Sequence, residues 1–508
     1  MTERALLGID VGTSGTKVLL VSESGKVLAR HTEEYEMYQP KNGWAEQDPA
    51  DWWDATAKGI KAVIAETGMA PASVGLSGQM HGLVMLDSSG DVLRRSIIWC
   101  DQRTEAEVED MERILGRQRI IEITANPPMT GFTAAKILWV KKNEPEIYEK
   151  CAHILLPKDY IRYRLTGEFA TEVSDASGMQ LMDVAGRQWS GEVLAKLGIE
   201  ASMLASMYES EELTGKVTKE AAGATGLAEG TPVAGGAGDN PAAAIGTGVV
   251  SEGRAFTTVG SSAVIYAVSD EVRIDMQGRV HSLCASVPGK WTVMSCTQGA
   301  GLSLQWLRNN VCNAERQEAE RLGVSAYDLM GKLAEGVPPG SDKLLFLPYL
   351  MGERSPHPDP DCRGVFFGLS ARHGKANLIR SVIEGVSFSQ LECLNVFREM
   401  GVSVGDMIMT GGGAASPLWR QLLADLYECP VSTLEANEGA ALGAAILGGV
   451  AAGIYSSCAE GCEAHITRGA AVAPDAGMRL AYEPYYQLYR KLYHSLRDDF
   501  KTLAKIEA

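Results

Sequence analysis

A strand–turn–strand pattern occurs twice in this chain, about half a chain apart, and it limits the possible folds more than any other feature. The first copy spans residues 5–21, with Gly, Thr and Ser at positions 12–16. The second spans residues 254–268 and turns at Gly260, Ser261, Ser262 and Ala263. Glycine at a corner between two apolar runs is typical of a β-hairpin. Its recurrence predicts a duplicated, two-domain architecture.

The boundary between the two predicted domains lies in the glycine-rich segment near residue 248, which gives domains at 1–248 and 249–508. A chain of 508 residues is long enough for two domains of ordinary size. Helical apolar periodicity occurs over residues 49–65, 378–397 and 417–427, and a C-terminal helix is expected in the last forty residues. Strands that alternate with helices indicate an α/β fold.

Composition excludes several classes of function. The net charge of −17 argues against nucleic-acid binding, which requires clustered Lys and Arg. No apolar run approaches the ~20 residues that span a bilayer, and we expect neither a signal peptide nor a membrane partner. The ten cysteines are scattered without metal-site spacing. Reduced thiols in a cytoplasmic protein are the expected state.

The composition of phosphate-binding loops occurs in three turns, at residues 12–17, 260–263 and 410–416. Residues 12–17 combine glycines and hydroxyls with Asp10 before the turn and Lys17 at its end. Backbone N–H groups in such a turn can hold an anion, although any one of these turns could equally be a plain hairpin. Residues 410–416 place three glycines between a strand and a helix, whereas residues 438–445 are better explained by close helix packing. The Walker spacing is absent.

Asp239 is the candidate catalytic acid or base, because it lies in the glycine-rich segment 235–241 just before the domain boundary. An Asx-turn is the simpler explanation of Gly-Asp-Asn taken alone. Phosphoryl transfer needs alignment, charge neutralisation and a base, and one aspartate can be that base while Asp10 serves Mg²⁺. Polar residues at 79–81 and 99–103 follow strands and suit sugar hydroxyls, although a lone histidine is usually structural.

Four segments resemble the FGGY family of carbohydrate kinases, within the actin–hexokinase superfamily. They are residues 10–17, 131–140, 364–384 and 411–414, in the family's order. The resemblance covers nearly the whole chain. It implies two duplicated, ribonuclease H-like domains with a ligand cleft between them, an ATP–Mg²⁺ cofactor and a small sugar as acceptor. It also implies a possible homodimer.

The resemblance also assigns roles to residues. Within the family, residues 46–49, 78–82, 156–160 and 352–357 are similar to members that act on D-xylulose. Asp239 is then the catalytic base, and Asp10 and Asp239 are the metal ligands. The expected sugar contacts are Gln79, Met80, His81, Trp99, Asp101, Asp239 and Asn240. The expected nucleotide contacts are Gly12, Thr13, Ser14, Lys17, Gly260, Ser261, Ser262, Gly411, Gly412, Gly413 and Ser416.

Two positions depart from the family pattern. Ala263 stands where the second phosphate motif has glycine, so we expect that turn to differ slightly from the first. Cys100 stands where an asparagine is expected, which could change the preference among ketoses. Three alternative functions stay open: a kinase for another ketose such as D-ribulose or L-ribulose, a non-catalytic sugar or nucleotide sensor on the same fold, and an actin-like filament protein.

Overall fold

The computed structural model describes residues 3–506. The strands of the first half are β1 (Ala5–Val11), β2 (Gly15–Ser22), β3 (Val27–Glu34), β4 (Glu46–Gln47), β5 (Pro71–Gly78), β6 (Val84–Leu86), β7 (Ser96–Ile97), β8 (His153–Leu155), β9 (Ala170–Glu172), β10 (Met182–Asp183), β11 (Gln188–Trp189), β12 (Ser206–Tyr208), β13 (Leu213–Lys216), β14 (Pro232–Ala234) and β15 (Ala237–Gly238). The helices are α1 (Pro49–Thr67), α2 (Glu105–Leu115), α3 (Arg117–Thr124), α4 (Thr133–Asn143), α5 (Pro145–Lys150), α6 (Pro157–Thr166), α7 (Val173–Ala176), α8 (Gly191–Leu197), α9 (Lys219–Thr225) and α10 (Asp239–Gly246). Short 3₁₀ helices occur at Ser177–Met179 and Ala201–Met203.

The second half continues the alternation of strands and helices. Its strands are β16 (Gly253–Val259), β17 (Ala263–Ser269), β18 (His281–Cys284), β19 (Trp291–Thr297), β20 (Leu345–Leu347), β21 (Val365–Phe367), β22 (Val404–Thr410) and β23 (Val431–Ser432). Its helices are α11 (Gly301–Asn310), α12 (Asn313–Leu322), α13 (Ala326–Glu335), α14 (Lys375–Glu399), α15 (Pro417–Tyr427), α16 (Ala440–Ala451), α17 (Cys458–His465) and α18 (Ala476–Ala504), with a 3₁₀ turn at Gly412–Ala415.

The chain forms two compact units, and neither is contiguous in sequence. Among the described residues, unit 1 comprises 3–251, Val268–Thr292 and Ala436–Thr467. Unit 2 comprises Glu252–Ala267, Val293–Glu435 and 468–506. Unit 1 therefore includes two segments from beyond residue 248, where the sequence places the boundary between the duplicated domains.

The sheet of unit 1 has the order β13-β14-β5-β1-β2-β3, with β15 also paired to β5. β1 is antiparallel to β2 and parallel to β5. Alternate residues of each strand face opposite sides of the sheet. Side chains such as Ile9 and Val18 pack in the core with Trp52 of α1, whereas Leu6 and Leu19 pack with Ile446 of α16. The sheet of unit 1 is thus covered by helices on both faces.

Two glycines let α16 lie directly on the backbone of this sheet. A Cβ on Gly8 would lie 1.9 Å from the carbonyl oxygen of Ala441, and one on Gly75 would lie 1.7 Å from that of Ala444. The interpretation of residues 438–445 as a close-packing helix is confirmed, because α16 is built from small residues at these contacts.

Unit 2 repeats the strand arrangement of unit 1. β16 is antiparallel to β17 and parallel to β22, which is parallel to β23, and β19 lies on the other side of β17. The predicted hairpins and the duplicated α/β fold are confirmed by this topology. The predicted helices are confirmed as α1, α14, α15 and α18. Within residues 3–506, no helix combines the length and apolar character needed to cross a membrane.

Candidate active site

The turn at residues 12–15 is held in place by hydrogen bonds that its carbonyl groups accept. Gln47 Nε2 donates to the carbonyl of Thr13 at 2.7 Å, and Gln79 Nε2 donates to that of Gly12 at 3.3 Å. Trp99 Nε1 donates to Thr13 Oγ1 at 2.9 Å. Within residues 3–506, the backbone N–H groups of Thr13 and Ser14 donate no hydrogen bond. The turn therefore presents N–H donors in the manner of an anion-binding nest.

Two carboxylates lie beside this turn, at the carboxyl-terminal ends of β1 and β15. Asp10 is paired in register with Ser77, whose hydroxyl donates to Asp10 Oδ1 at 3.1 Å. Asp239 follows β15 directly, and β15 pairs with the end of β5. Asn240 donates to Asp239 Oδ1 through its backbone N (2.7 Å) and its Nδ2 (2.9 Å). Adjacent strand ends thus bring together two acids that are more than 200 residues apart in sequence.

Both acids have raised pKa values. Burial raises the pKa of Asp10, against the opposing effects of the Ser77 hydrogen bond and the Lys17 charge. Burial, and then the negative charge of Asp10, raise the pKa of Asp239 to about 7, although the Asn240 hydrogen bonds oppose this. An acid with a pKa near the working pH suits a general base.

Met80 and His81 form the floor beside Asp239. Both are buried, at 4% and 9% exposed. A Cβ on Gly238 would lie 2.7 Å from Met80 Cγ, so the backbone that leads into Asp239 packs directly on the Met80 side chain. His81 Nδ1 is 2.9 Å from the carbonyl oxygen of Gly178, and the His81 backbone is left-handed, with φ of 70°. Strained backbone of this kind is found preferentially at functional sites.

Other predicted sugar contacts have mainly internal partners. Gln79 is 1% exposed and its Nε2 also donates to Gln47 Oε1 at 2.7 Å. Asp101 is fully buried, and it accepts from the backbone N of Ala45 (2.6 Å) and from Arg103 NH2 (2.7 Å). Trp99 is 41% exposed. The structure thus gives Asp101 a role in holding the loop that carries Trp99, while its direct contact with sugar stays a prediction.

Lys17 makes contacts that the sequence did not suggest. Its Nζ lies 2.6 Å from Glu438 Oε2 and 3.1 Å from the carbonyl oxygen of Glu438. Arg30 also pairs with Glu438, at 3.1 Å. The Lys17 ammonium is therefore bound to the segment before α16, and its contact with phosphate stays a prediction.

The second turn, in unit 2, is one residue shorter than the first. Residues 12–15 separate the paired Val11 and Thr16, whereas residues 260–262 separate the paired Val259 and Ala263. Ala263 is buried in β17, with strand pairing in place of a turn conformation. The expectation that this turn differs from the first is confirmed.

A cavity of about 740 Å³ opens beside this second turn. Its wall includes five of the predicted nucleotide contacts, namely Gly260, Ser261, Gly412, Gly413 and Ser416. Ser416 also caps α15 by accepting from the backbone N of Trp419 at 3.3 Å. Ser262 and Gly411 adjoin them in sequence. The apolar side of the cavity comes from Ile379, Ile383, Leu304, Met330, Tyr327 and Trp419.

Sequence reasoning missed this apolar side. Tyr327 and Met330 belong to α13, and Ile379 and Ile383 belong to α14. Their apolar spacing is that of any core-facing helix, so no local signal marks them as a cavity wall. Only the flanking glycine turns carried a recognisable pattern.

An actin–hexokinase-like sheet that ends in two carboxylates beside an anion-binding turn defines a phosphotransferase. The profile "FGGY family of carbohydrate kinases, N-terminal domain" matches residues 5–246, and the C-terminal domain profile matches residues 255–452. The chain belongs to the FGGY family of carbohydrate kinases, and is thus an ATP-dependent sugar kinase.

Alignments with xylulose kinases from other organisms extend over almost the whole chain. It is 38% identical over 492 residues to the xylulose kinase of Escherichia coli strain K12, covering 96% of this chain and 99% of that one. It is 36% identical over 496 residues to the xylulose kinase of Bacillus subtilis strain 168, covering 97% of each. The solved xylulose kinase of Rhodospirillum rubrum superposes with a TM-score of 0.92 at 29% identity, covering 98% of this chain and 100% of that one.

Proposed function

We propose that this kinase transfers the γ-phosphate of ATP to the terminal hydroxyl (O5) of D-xylulose, giving D-xylulose 5-phosphate and ADP. The observation that carries the proposal is the pair Asp10 and Asp239 beside the turn at residues 12–15. Xylulose kinases of 36–38% identity over nearly the full length support the choice of sugar. The duplicated domains would be 1–248 and 249–508.

In this proposal the ketose binds to unit 1 against Met80, His81, Trp99 and Asn240. These side chains offer an apolar floor, an imidazole, an exposed indole and an amide, which together suit a small molecule with several hydroxyls. Gln79 would contribute Oε1, which is buried and accepts no hydrogen bond within residues 3–506.

Asp239 would act as the general base. It takes the proton of the sugar hydroxyl while that oxygen attacks the γ-phosphorus and the bond to the ADP oxygen breaks. The N–H groups of Thr13 and Ser14 donate to phosphate oxygens. The raised pKa of Asp239 allows it to hold this proton near neutral pH and then release it.

Asp10 and Asp239 are suitable ligands for Mg²⁺. Each has one oxygen, Oδ1, in a hydrogen bond, and within residues 3–506 neither Oδ2 accepts one. Burial raises both pKa values, and the negative charge of Asp10 also raises that of Asp239, so a bound divalent cation would remove an electrostatic cost. Carboxylate oxygens are the ligands that Mg²⁺ prefers, and when bound it would neutralise phosphate charge.

The adenosine part of ATP would occupy the cavity of unit 2. Its volume of about 740 Å³ is within the range of small-molecule sites. Gly412 and Gly413 leave room for a flat base, and Trp419 is held in place because its Nε1 donates to Ser387 Oγ at 3.0 Å.

Cytoplasmic localisation is part of the same proposal, since within residues 3–506 the ten cysteines form no disulfide. A homodimer is implied by the family resemblance and stays a prediction.

A coupled ADP-release assay tests the choice of sugar. ATP and Mg²⁺ are mixed with D-xylulose, D-ribulose, L-ribulose, L-xylulose, glycerol or no sugar. We expect kcat/KM for D-xylulose to be at least about tenfold above the rest, a difference of about 1.4 kcal/mol. A higher kcat/KM for another ketose would overturn the choice of D-xylulose as substrate and leave the kinase assignment intact. No sugar-dependent release from any acceptor would favour the non-catalytic sensor.

A further inference from the structure

Lys136 lies in the first family motif at residues 131–140, but the proposed chemistry gives it no role. It is on α4 and is fully buried. Among the described residues it forms no ion pair within 4.0 Å. A fully buried lysine is uncommon and is normally paired with an acid. Another kind of partner must therefore account for a buried amine at this position.

The partners of Lys136 are two backbone carbonyls of the sugar-site loops. Its Nζ donates to the carbonyl oxygen of His81 at 2.8 Å and to that of Gly131 at 2.8 Å. Thr133 Oγ1 donates to the same His81 oxygen at 3.1 Å. The His81 carbonyl thus accepts two side-chain hydrogen bonds from the first turn of α4. It belongs to a residue with left-handed backbone, where such support is most needed.

The same motif touches the other sugar-site segments. The Phe132 ring lies 4.3 Å from the His81 ring, centroid to centroid. A Cβ on Gly131 would lie 2.7 Å from the carbonyl oxygen of Trp99, so this loop packs on the Trp99 backbone. Burial lowers the pKa of Lys136 to about 7, opposed chiefly by the negative charge of Asp101. Lys136 therefore lies beneath His81 and close to the loop at residues 99–101.

We propose that Lys136, assisted by Thr133, is a positioning residue for sugar binding, holding the His81 carbonyl so that Met80 and His81 face the sugar. Lys136 acts through His81 and touches neither substrate. This inference rests on the proposed function, because it takes residues 80–81 as sugar contacts. It gives the lysine of the family motif a physical task.

The test compares Lys136→Met, which keeps the side-chain stem and removes the amine, with Lys141→Met as a matched control. Lys141 is exposed on the same helix and also donates to a backbone carbonyl, that of Gly198, at 2.6 Å. The measurements are kcat, KM for D-xylulose, KM for ATP, and ATP hydrolysis without sugar. Cooperative thermal unfolding checks that each variant folds.

We expect Lys136→Met to raise the sugar KM roughly tenfold, or by about 1.4 kcal/mol, because the carbonyls of His81 and Gly131 lose this buried donor. KM for ATP and sugar-independent hydrolysis should stay within about twofold of wild type, and Lys141→Met should behave as wild type. An unchanged sugar KM in folded Lys136→Met would overturn the inference. Equal increases of both KM values would also overturn it, since they indicate a general structural role.

Thr133→Val covers the case in which Lys136→Met does not fold. It removes one hydrogen bond to the His81 carbonyl without removing the buried amine. We expect the sugar KM to rise roughly two- to fivefold, and no change would count against the inference. If wild type prefers another ketose in the panel, D-xylulose is wrong, and the same variants are compared with the preferred sugar.

Discussion

The ends of β5 and β22 occupy the same topological position in the two units, beside a hairpin turn, yet they are built differently. In unit 1 the residues after β5 are Gln79, Met80 and His81, whose side chains are 1–9% exposed. In unit 2 the residues after β22 are glycines, and they adjoin a cavity of about 740 Å³. The end of β5 is filled with side chains that can hydrogen-bond a small polar molecule, whereas the end of β22 leaves room for a larger ligand.

The two units also differ at the strand pair that lies two residues before each hairpin turn. Asp10 and Ser77 are paired in register in unit 1, and the equivalent pair in unit 2 is Thr258 and Thr410. The serine hydroxyl donates to the carboxylate at 3.1 Å, and the two threonine hydroxyls are 2.8 Å apart. Unit 1 has an acid at this position, whereas unit 2 has two threonines. The comparison supports the proposal that unit 1 carries out phosphoryl transfer and that unit 2 binds the nucleoside.

The largest expected effect comes from removing the base in unit 1. Asp239→Asn should lower kcat roughly 10³-fold, since a general base contributes about 10²–10⁴. Sugar affinity, measured by isothermal titration calorimetry, should stay within a fewfold of wild type. Asp270→Asn, an exposed acid paired with Lys290, is the control. Near-wild-type turnover in Asp239→Asn would overturn the assignment of Asp239 as the base.

Two pairs of glycine substitutions test the division between sugar and nucleotide. A Cβ on Gly413 would lie 2.7 Å from Val259 Cγ1, whereas one on the exposed Gly405 of β22 would meet nothing nearer than the Gly253 carbonyl oxygen at 3.8 Å. Gly413→Ala should therefore raise KM for ATP roughly tenfold, because overpacking costs about 1–3 kcal/mol. Gly405→Ala should change it less than about twofold. Sugar KM should be unaffected by both.

In unit 1 the matched pair is Gly178→Ala and Gly223→Ala. A Cβ on Gly178 would lie 2.4 Å from the His81 ring, and one on Gly223 meets nothing within 4 Å. Gly178→Ala should raise sugar KM roughly tenfold, by the same overpacking cost, with KM for ATP unchanged. If Gly413→Ala or Gly178→Ala raises KM for both substrates equally, the ends of β5 and β22 do not have separate functions.

Metal affinity should depend on pH through Asp239. Its pKa of about 7 means that protons compete with a cation below pH 7. From pH 8 to pH 6 the ionised fraction falls roughly tenfold, so the dissociation constant for Mn²⁺, used as a probe, should rise by about that factor. Electron paramagnetic resonance measures the free Mn²⁺. Asp239→Asn should lose most of this dependence, and an equal slope in that variant would exclude Asp239 as its source.

The smallest expected effect concerns Cys100. Cys100→Asn should change the ratio of kcat/KM for D-xylulose to that for D-ribulose roughly two- to tenfold, the size of one hydrogen bond. The side chain is partly buried next to Trp99, so its influence on the sugar is at most local. A constant ratio would show that residue 100 does not set ketose preference.

The sequence predicted those parts of the fold and site that have short-range patterns. The hairpins, α1 and the strand–glycine–helix segment into Pro417 follow from local periodicity and turn residues. The pairing of Lys17 with Glu438 was not predictable, since 421 residues separate them and neither has a distinctive neighbour pattern. The role of Asp101 was also hidden, because nothing local indicates that Ala45 would bond its carboxylate.

The contact of α16 with β1 and β5 has a consequence for how the protein is made. Gly8 and Gly75 are synthesised more than 360 residues before their partners Ala441 and Ala444. At roughly 5–20 residues per second, that interval is about 20–70 s. During it, the face of the nascent sheet that carries Leu6 and Leu19 lacks its helix. This apolar strip must be kept from aggregating until α16 has been synthesised, so demand for chaperones should be concentrated in that interval.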